Sequence, residues 1–233
     1  MTTKSTANFR PQTPANPYFD RRAIVMLFFG FAAGIPILLI FSSLSLWLRE
    51  AGIDRATVTM FGWAALGYSF KFIWSPLVDT LPIPFLSQKL GRRRAWMLLS
   101  QLAVMLAICL MAFTNPALPD RLALMAAAAV LLGFSSATQD IVIDAYRIES
   151  ASLDLQPTLS AMYTAGYRLG MIAAGAGALY LADFFGSTES AYSYLAWRNT
   201  YLIMAGVMMV GVLTTLTAPE SSATLDDTAQ RLQ

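Results

Sequence analysis

The chain has 233 residues, of which 56% are hydrophobic and only 13% are charged, whereas a soluble domain carries about 25% charged residues. The net charge of +2 offers no strongly basic surface, so no nucleic-acid partner is expected. With no histidine and a single cysteine, Cys109, the sequence has no imidazole chemistry, no usual zinc ligand set and no intrachain disulfide. The apolar residues fall in long runs, which predicts a multi-pass membrane protein that is not an enzyme and needs no metal or cofactor.

The two ends of the chain are polar. Residues 1–22 are rich in Pro, Thr and Asn and lack the short apolar core of a signal peptide, which predicts a cytoplasmic N-terminal segment. Residues 219–233 are polar and acidic, as expected of a cytoplasmic tail or the start of a central linker. Residues 23–218 are predicted to form one transmembrane domain.

Six apolar segments stand out within that domain, each long enough to cross about 30 Å of hydrocarbon as a helix. They cover 23–48, 57–78, 95–114, 121–146, 157–183 and 199–218. With the N-terminus inside, the inner loops and ends hold ten Lys and Arg residues and the outer loops hold four. This asymmetry predicts a bacterial inner-membrane protein with both termini in the cytoplasm.

The first three segments resemble the last three. The matching pairs are GFAAGIP (30–36) with GFSSATQ (133–139), GYSFK (67–71) with GYRLG (166–170), and RAWMLL (94–99) with LAWRNTYLI (195–203). Their offsets are 103, 99 and 101 residues, and an odd number of helices per repeat inverts the second copy. The predicted fold is an all-α membrane protein with six transmembrane helices in a 3+3 inverted repeat, one half of a major facilitator fold.

Four ionisable residues lie inside apolar segments: Lys71, Asp140, Asp144 and Arg168. Such a group costs about 2.5–3.5 kcal/mol on insertion scales, so each is a candidate functional residue. Asp140 is predicted to bind substrate or to carry a coupling proton, with Lys71 at matched depth as its partner. Arg168 is predicted to reach the same level and to bind substrate. The alternative is that these charges form a structural lock between helices.

Small and polar residues form a stripe along the fourth segment at three- and four-residue steps. The stripe contains Gly133, Ser136, Ala137, Asp140, Asp144 and Arg147. Asp144 and Arg147 lie near the inner interface, where a structural or gating role is expected. Gln139 flanks the stripe, and its amide suits recognition of sugars or amides because it both donates and accepts hydrogen bonds.

Gly30 and Gly34 form a small-residue surface in the first segment, suited either to tight helix packing or to close approach of a ligand. The rings of Trp63, Tyr68, Tyr163 and Tyr167 are candidates for stacking on sugar rings, with packing or interfacial anchoring as the alternative.

The loop between the second and third segments reads SPLVDTLPIPFLSQKLGRRRAW. Asp79 closes the second segment, and Arg92, Arg93 and Arg94 precede the third. These arginines could anchor the topology or contact anionic lipid headgroups. Together with Asp79 they also fit a cytoplasmic gate.

The same loop resembles the G-x-x-x-D-[RK]-x-G-[RK]-[RK] motif of the major facilitator superfamily. Asp79, Gly91, Arg92 and Arg93 match, whereas Ser75 and Thr80 depart from it and an insertion precedes Gly91. A more specific set is GFAAGIPILL, FKFIWSPLVD, LGRRRAW, ATQDIVIDAYR and GYRLG. Together these segments resemble the AmpG-type muropeptide permeases over residues 20–218, with a more distant likeness to acetyl-coenzyme A transporters.

The resemblance implies a secondary transporter that imports GlcNAc-1,6-anhydroMurNAc peptides from periplasm to cytoplasm for peptidoglycan recycling. It also implies coupling to protons and a supply of the signal for β-lactamase induction. Gly34, Ala137 and Gln139 then fall in segments that line the substrate path. The implied partner is a C-terminal six-helix half or a second copy of the chain. Transport of another bulky anion such as acyl-coenzyme A, or a half-size non-transporting membrane subunit, are the alternatives.

Overall fold

The computed structural model describes residues 16–219, which are mostly helical. The main helices are α1 (Arg21–Glu50), α2 (55–80), α3 (Arg92–Ala112), α4 (Leu122–Ser150), α5 (156–184) and α6 (Tyr194–Thr217). A short helix, Leu86–Leu90, lies in the loop before α3. The predictions for most of the N-terminal segment and for the acidic tail fall on 1–15 and 220–233, outside the described residues.

Four helices of the described part are long and apolar enough to cross a membrane, namely α1, α3, α4 and α6. The predicted spans 57–78 and 157–183 are helical but do not combine that length and hydropathy. In α2, short α-helical pieces alternate with the 3₁₀ turns Phe61–Ala65 and Lys71–Ile73. Gly62, Gly67 and Pro76 account for this irregularity, because glycine has a low helix propensity and proline lacks the backbone donor.

The α1–α5 crossing brings two backbones into direct contact. A Cβ atom at Gly166 would lie 1.9 Å from the carbonyl oxygen of Leu27, and one at Gly30 would lie 2.1 Å from that of Tyr163. Any larger side chain would therefore force the helices apart. The crossing is formed by Gly30, Gly34, Gly166 and Gly170. Because neither helix can move without the other, α1 and α5 form one packed pair.

A second crossing joins α2 to α4 in the same way. A Cβ atom at Gly133 would lie 2.2 Å from the carbonyl oxygen of Ala64, and one at Gly67 would lie 3.2 Å from the backbone of Gly133. The irregular helix α2 is thus held against the regular helix α4, which places Lys71 and Asp140 on neighbouring elements.

Apolar packing, mostly of aliphatic side chains, holds the rest of the bundle. Helix α3 lies along α4, and α6 packs on α3 and α1. The rings of Trp47 in α1 and Trp197 in α6 stack with centroids 5.7 Å apart and planes at 3°. Where α1 widens into a π-helical stretch, Leu39–Ser43, the Ser43 hydroxyl donates to the carbonyl of Ala174 at 2.9 Å. This bond links the π-helical stretch of α1 to a similar stretch in α5, Ala173–Gly177.

Candidate substrate cavity

A polar cavity of about 470 Å³ opens between α2, α4 and α5. Six of the side chains proposed from sequence lie around this one space: Lys71, Asp140, Asp144, Tyr163, Tyr167 and Arg168. Thr164 and Met171 complete the lining. Residues as far apart in the chain as Lys71 and Met171 therefore meet around one space, with α2 held against α4 and α5 held against α1 by the two glycine crossings.

Asp140 lies at the centre of the contacts within the cavity. The hydroxyl of Tyr163 donates to Asp140 Oδ1 at 3.5 Å, a long hydrogen bond. Asp144 lies one helical turn away, about 6 Å along the axis. Among residues 16–219, the ion pairs within 4.0 Å do not include the expected Lys71–Asp140 pair. Both charged groups line the cavity without touching each other.

Asp144 and Arg147 form the contact expected from their spacing. Arg147 Nη2 lies 3.4 Å from Asp144 Oδ1, and Arg147 Nη1 donates to the hydroxyl of Ser160 at 2.5 Å. Arg147 therefore ties α4 to the beginning of α5 at the edge of the cavity. A rearrangement of α5 against α4 would have to break this bond.

The lining can recognise several chemical groups at once. Lys71 and Arg168 offer positive charge, Asp140 and Asp144 offer acceptors, and the tyrosines offer hydroxyls and ring faces. A solute with carboxylates, amides and sugar rings matches this set. No group of three His, Cys, Asp or Glu side chains in the described ranges could hold a metal ion.

Four residues predicted to bind substrate or line its path do not lie among the lining residues. Gly30 and Gly34 are buried in the α1–α5 crossing, where the alternative of tight packing describes their surroundings. Ala137 and Gln139 are fully buried in α4. Gln139 is about 100° around the helix from Asp140, and neither amide atom finds a hydrogen-bond partner among the described residues.

Two of the predicted gate residues, Asp79 and Arg93, meet at the end of the bundle where α1 begins. Arg93 Nη1 lies 2.6 Å from Asp79 Oδ1, and Arg93 Nη2 lies 2.5 Å from Glu149 Oε1. The Arg93 side chain is only 9% exposed. It therefore joins the ends of α2 and α4 to the beginning of α3 through one buried cation.

Local geometry explains how Arg93 reaches this position. Gly91 has a φ of +79°, a left-handed conformation that favours glycine, and it turns the chain from the short helix into α3. Arg92 is the first residue of α3 and is half-buried. Glu149 was not predicted from sequence. Its signal is an acidic side chain in the last turn of a helix, where the macrodipole is unfavourable unless a cation lies nearby.

Comparison with known proteins gives consistent results. Residues 22–231 match the family model of the Major Facilitator Superfamily. The chain is 39% identical over 201 residues to the protein named AmpG 4 of Rickettsia felis, covering 86% of this chain and 46% of that protein. It is 37% identical over 204 residues to the anhydromuropeptide permease of Escherichia coli (strain K12), covering 88% of this chain and 38% of that protein.

The chain spans less than half the length of each of these relatives. The family match nevertheless covers nearly all of the chain, including the cavity and the Arg93 contacts. This chain belongs to the Major Facilitator Superfamily and is a multi-pass membrane protein of a transporter family.

Proposed function

We propose that this chain forms one half of a secondary transporter that imports anhydromuropeptides from the periplasm to the cytoplasm for peptidoglycan recycling. The observation that carries the proposal is the mixed lining of the cavity between α2, α4 and α5. An anhydromuropeptide combines sugar rings with a peptide that bears carboxylates. The relative from Escherichia coli is named for that substrate.

The cavity offers a matching group for each part of the substrate. Lys71 and Arg168 pair with the peptide carboxylates, since charge-assisted hydrogen bonds are the strongest polar contacts available. The rings of Tyr163 and Tyr167, with centroids 5.9 Å apart, offer faces for the sugars. Tyr163, Lys71 and Arg168 are favoured as substrate ligands because they line the cavity. The other residues predicted to bind substrate or line its path do not line it: Gly30, Gly34, Ala137 and Gln139.

Asp140 is proposed to carry the coupling proton. It lies beside the substrate position, its carboxylate touches the Tyr163 hydroxyl, and Lys71 faces the same space. Protonation of Asp140 would change the balance of charge around the substrate in a single step. Asp144 is proposed to act with Arg147 at the edge of the cavity, where it gates access instead of binding the proton.

The Arg93 contacts are proposed to close the cytoplasmic side. They join α2, α3 and α4 at the end of the bundle that holds the start of α1. Asp79, Gly91 and Arg92 belong to this gate by position. Rocking of the helices would separate the carboxylates from Arg93 and open a route to the cytoplasm, the side that the loop charges indicate for both termini.

The 3+3 inverted repeat is supported by the two glycine crossings. Gly30 and Gly133 occupy matching places in the repeated sequences, and so do Gly67 and Gly166. Gly30 and Gly166 lie in the α1–α5 crossing, and Gly67 and Gly133 lie in the α2–α4 crossing. Each repeat therefore contributes its first helix to one crossing and its second helix to the other.

A second six-helix unit, either a C-terminal half or another copy of the chain, is proposed to complete the path. Apolar side chains on both flanks of the cavity support this arrangement. Phe72 of α2 is 67% exposed and Ile172 of α5 is 63% exposed. In the complete transporter these faces would pack against the second unit, whose helices would form the opposite wall of the cavity.

Uptake of labelled anhydromuropeptide tests the proposal. The protein is expressed together with its second six-helix unit in bacteria that lack their own muropeptide permease, and accumulation is measured with and without a protonophore. We expect uptake that the protonophore abolishes and that Asp140→Asn reduces to background. Asp120→Asn, in the exposed loop before α4, is the matched control and should transport normally. Undiminished uptake in both the protonophore and the Asp140→Asn arms would exclude proton coupling through Asp140.

Another bulky anion is a second candidate substrate, favoured by the two cations Lys71 and Arg168 in the cavity. Competition separates the two possibilities. Unlabelled anhydromuropeptide should suppress uptake of the label, whereas acyl-coenzyme A should not. The reverse order would assign the cavity to acyl-coenzyme A.

A further inference from the structure

A second cavity, of about 490 Å³, lies between α1 and α6 and shares no lining residue with the substrate cavity. Its principal walls are Ile24 and Phe28 of α1 and Val210 and Leu213 of α6. Arg21 lies at the end where α1 begins and α6 finishes. The groove is therefore apolar along its length and cationic at one end.

Two arginines lie over the last carbonyls of α6. Arg21 Nη2 donates to the carbonyl of Thr217 at 2.7 Å. Arg94 Nε donates to the carbonyl of Thr215 at 2.9 Å, and its Nη2 donates to that of Leu216 at 2.6 Å. These carbonyls belong to consecutive residues, so both arginines contact the last turn of α6.

These two arginines differ from their neighbours in how their charge is balanced. Arg22 pairs with Asp20 at 2.9 Å, and Arg93 pairs with Asp79 and Glu149. Across the described residues, the ion pairs within 4.0 Å include neither Arg21 nor Arg94. A guanidinium has five N–H donors, so one or two carbonyl contacts leave donors for another acceptor.

The apolar walls fit a hydrocarbon chain. Ile24, Phe28 and Leu213 are 39%, 44% and 57% exposed although they line a groove. From Arg21 to Phe28 the wall of α1 extends about 10 Å. Since α1 and α6 are both candidate spans, this groove runs along the membrane normal from the polar boundary into the hydrocarbon.

We propose that the α1–α6 groove binds an anionic phospholipid. The headgroup phosphate contacts Arg21 at the end of the groove, Arg94 adds positive charge from its contacts to the last turn of α6, and an acyl chain lies along Ile24, Phe28 and Leu213. Arginine suits this role because its planar fork matches phosphate oxygens. Two cations without an ion-pair partner among residues 16–219 favour a headgroup with net negative charge over a zwitterionic one, whose own cation would be repelled. A bound lipid here would fix α6 against α1 without touching the substrate.

Spin-labelled lipids test this site. The whole chain is reconstituted in phosphatidylcholine bilayers, and the association of labelled phosphatidylglycerol is compared with that of labelled phosphatidylcholine by electron paramagnetic resonance. Each arginine near a charged headgroup contributes about 1 kcal/mol, which is roughly a fivefold preference. Arg21→Gln and Arg94→Gln should each remove about fivefold of the preference for phosphatidylglycerol. Glutamine keeps N–H donors for the α6 carbonyls, and circular dichroism verifies that the variants are folded.

Two further variants separate a specific lipid site from a general effect of charge. Arg55→Gln removes an exposed charge at the beginning of α2 and should leave the preference unchanged. Leu213→Trp fills the groove without altering charge and should weaken association of the anionic lipid. Equal association of both lipids, or the same loss in Arg55→Gln as in Arg21→Gln, would overturn the proposal. A preference that emerges only after removal of residues 220–233 would do so as well, since it would assign the arginines to the acidic residues of that segment.

Discussion

Helices α1 and α4 finish with the same short pattern, an aromatic residue followed three positions later by glutamate. In α1 these are Trp47 and Glu50, and in α4 they are Tyr146 and Glu149. Both aromatic side chains are fully buried. A carboxylate in the last turn faces the negative end of the helix dipole, so each glutamate needs a donor from another helix.

The two glutamates find different donors. Glu149 pairs with the buried cation Arg93, which also holds Asp79. Glu50 Oε2 instead accepts hydrogen bonds from the Trp197 indole at 2.7 Å and the Ser187 hydroxyl at 2.5 Å, both neutral. One end of the bundle is thus joined by ion pairs to a buried arginine, whereas the other is joined by stacked aromatic rings and neutral donors, with the ion pair Arg49–Glu189 at the exposed surface. An ionic contact separates without exposing apolar area, and for this reason we propose the Arg93 end as the gate and the Trp197 end as the hinge.

Trp197→Ala should produce the largest loss of stability. It removes a fully buried ring stacked on Trp47 and the indole donor to Glu50. Truncating a buried tryptophan costs about 3–5 kcal/mol. Thermal unfolding in detergent, followed by circular dichroism, measures the effect. Trp63→Ala is the control, because that ring is 74% exposed and should unfold close to the parent. Equal losses in the two variants would contradict the assignment of Trp197 as a packing centre.

Arg93→Gln should follow, with a loss of about 3 kcal/mol, because removing one member of a buried ion pair leaves its carboxylate uncompensated. Breaking a buried ion pair in this way costs about 3–5 kcal/mol. The loss for Arg93→Gln falls at the low end of these values because the Asp79 side chain is 42% exposed and is partly screened by solvent. Asp79→Asn is the matched control and should cost less, as the Arg93–Glu149 pair survives. If Asp79→Asn proved as damaging as Arg93→Gln, Glu149 would not be the main partner.

Glu50→Gln should cost about 1 kcal/mol, the difference between a charged and a neutral acceptor. The glutamine carbonyl can still accept from Trp197, so the neutral end keeps its geometry. The same unfolding measurement applies. A loss as large as that of Arg93→Gln would show that the Trp197 end also depends on charge, which would remove the contrast between the ends.

Arg49→Gln should have the smallest effect, under about 0.5 kcal/mol. Its pair with Glu189 spans 3.6 Å, and the two side chains are 49% and 76% exposed. Exposed pairs of this kind contribute little because water and salt screen them. A clear shift of the unfolding midpoint in this variant would indicate a buried role that the pair geometry does not suggest.

Sequence patterns located the cavity charges because ionisable residues inside apolar runs are conspicuous. Lys71, Asp140 and Arg168 were predicted this way and lie around one space. Gln139 was assigned to the substrate path, yet it faces the packed interior, since a single step of 100° separates the two faces of α4. Which face of α4 meets the cavity cannot be predicted from sequence, because it depends on where the neighbouring helices lie.

Other features depend on contacts between distant segments. Glu50 and Glu149 lie at helix ends, where charged residues are common, so their partners Trp197 and Arg93 were not evident from sequence. The irregular course of α2 was also missed, because its apolar run is continuous although Gly62, Gly67 and Pro76 interrupt the helix. Backbone contact at Gly30, Gly133 and Gly166 leaves no room for a Cβ atom, which gives a packing reason for glycine at these positions of the predicted repeat.

Direct binding of a synthetic anhydromuropeptide tests most directly whether the cavity is the substrate site. The protein is purified from its native membranes with any associated chain, and binding is measured by calorimetry in detergent. Arg168→Gln, which removes an exposed cation from the cavity lining, should weaken binding about tenfold, the value of one charge-assisted hydrogen bond. Arg55→Gln, outside the cavity, should bind as the parent does. Absence of binding, or equal affinity in Arg168→Gln and the parent, would contradict the assignment of this cavity to the substrate.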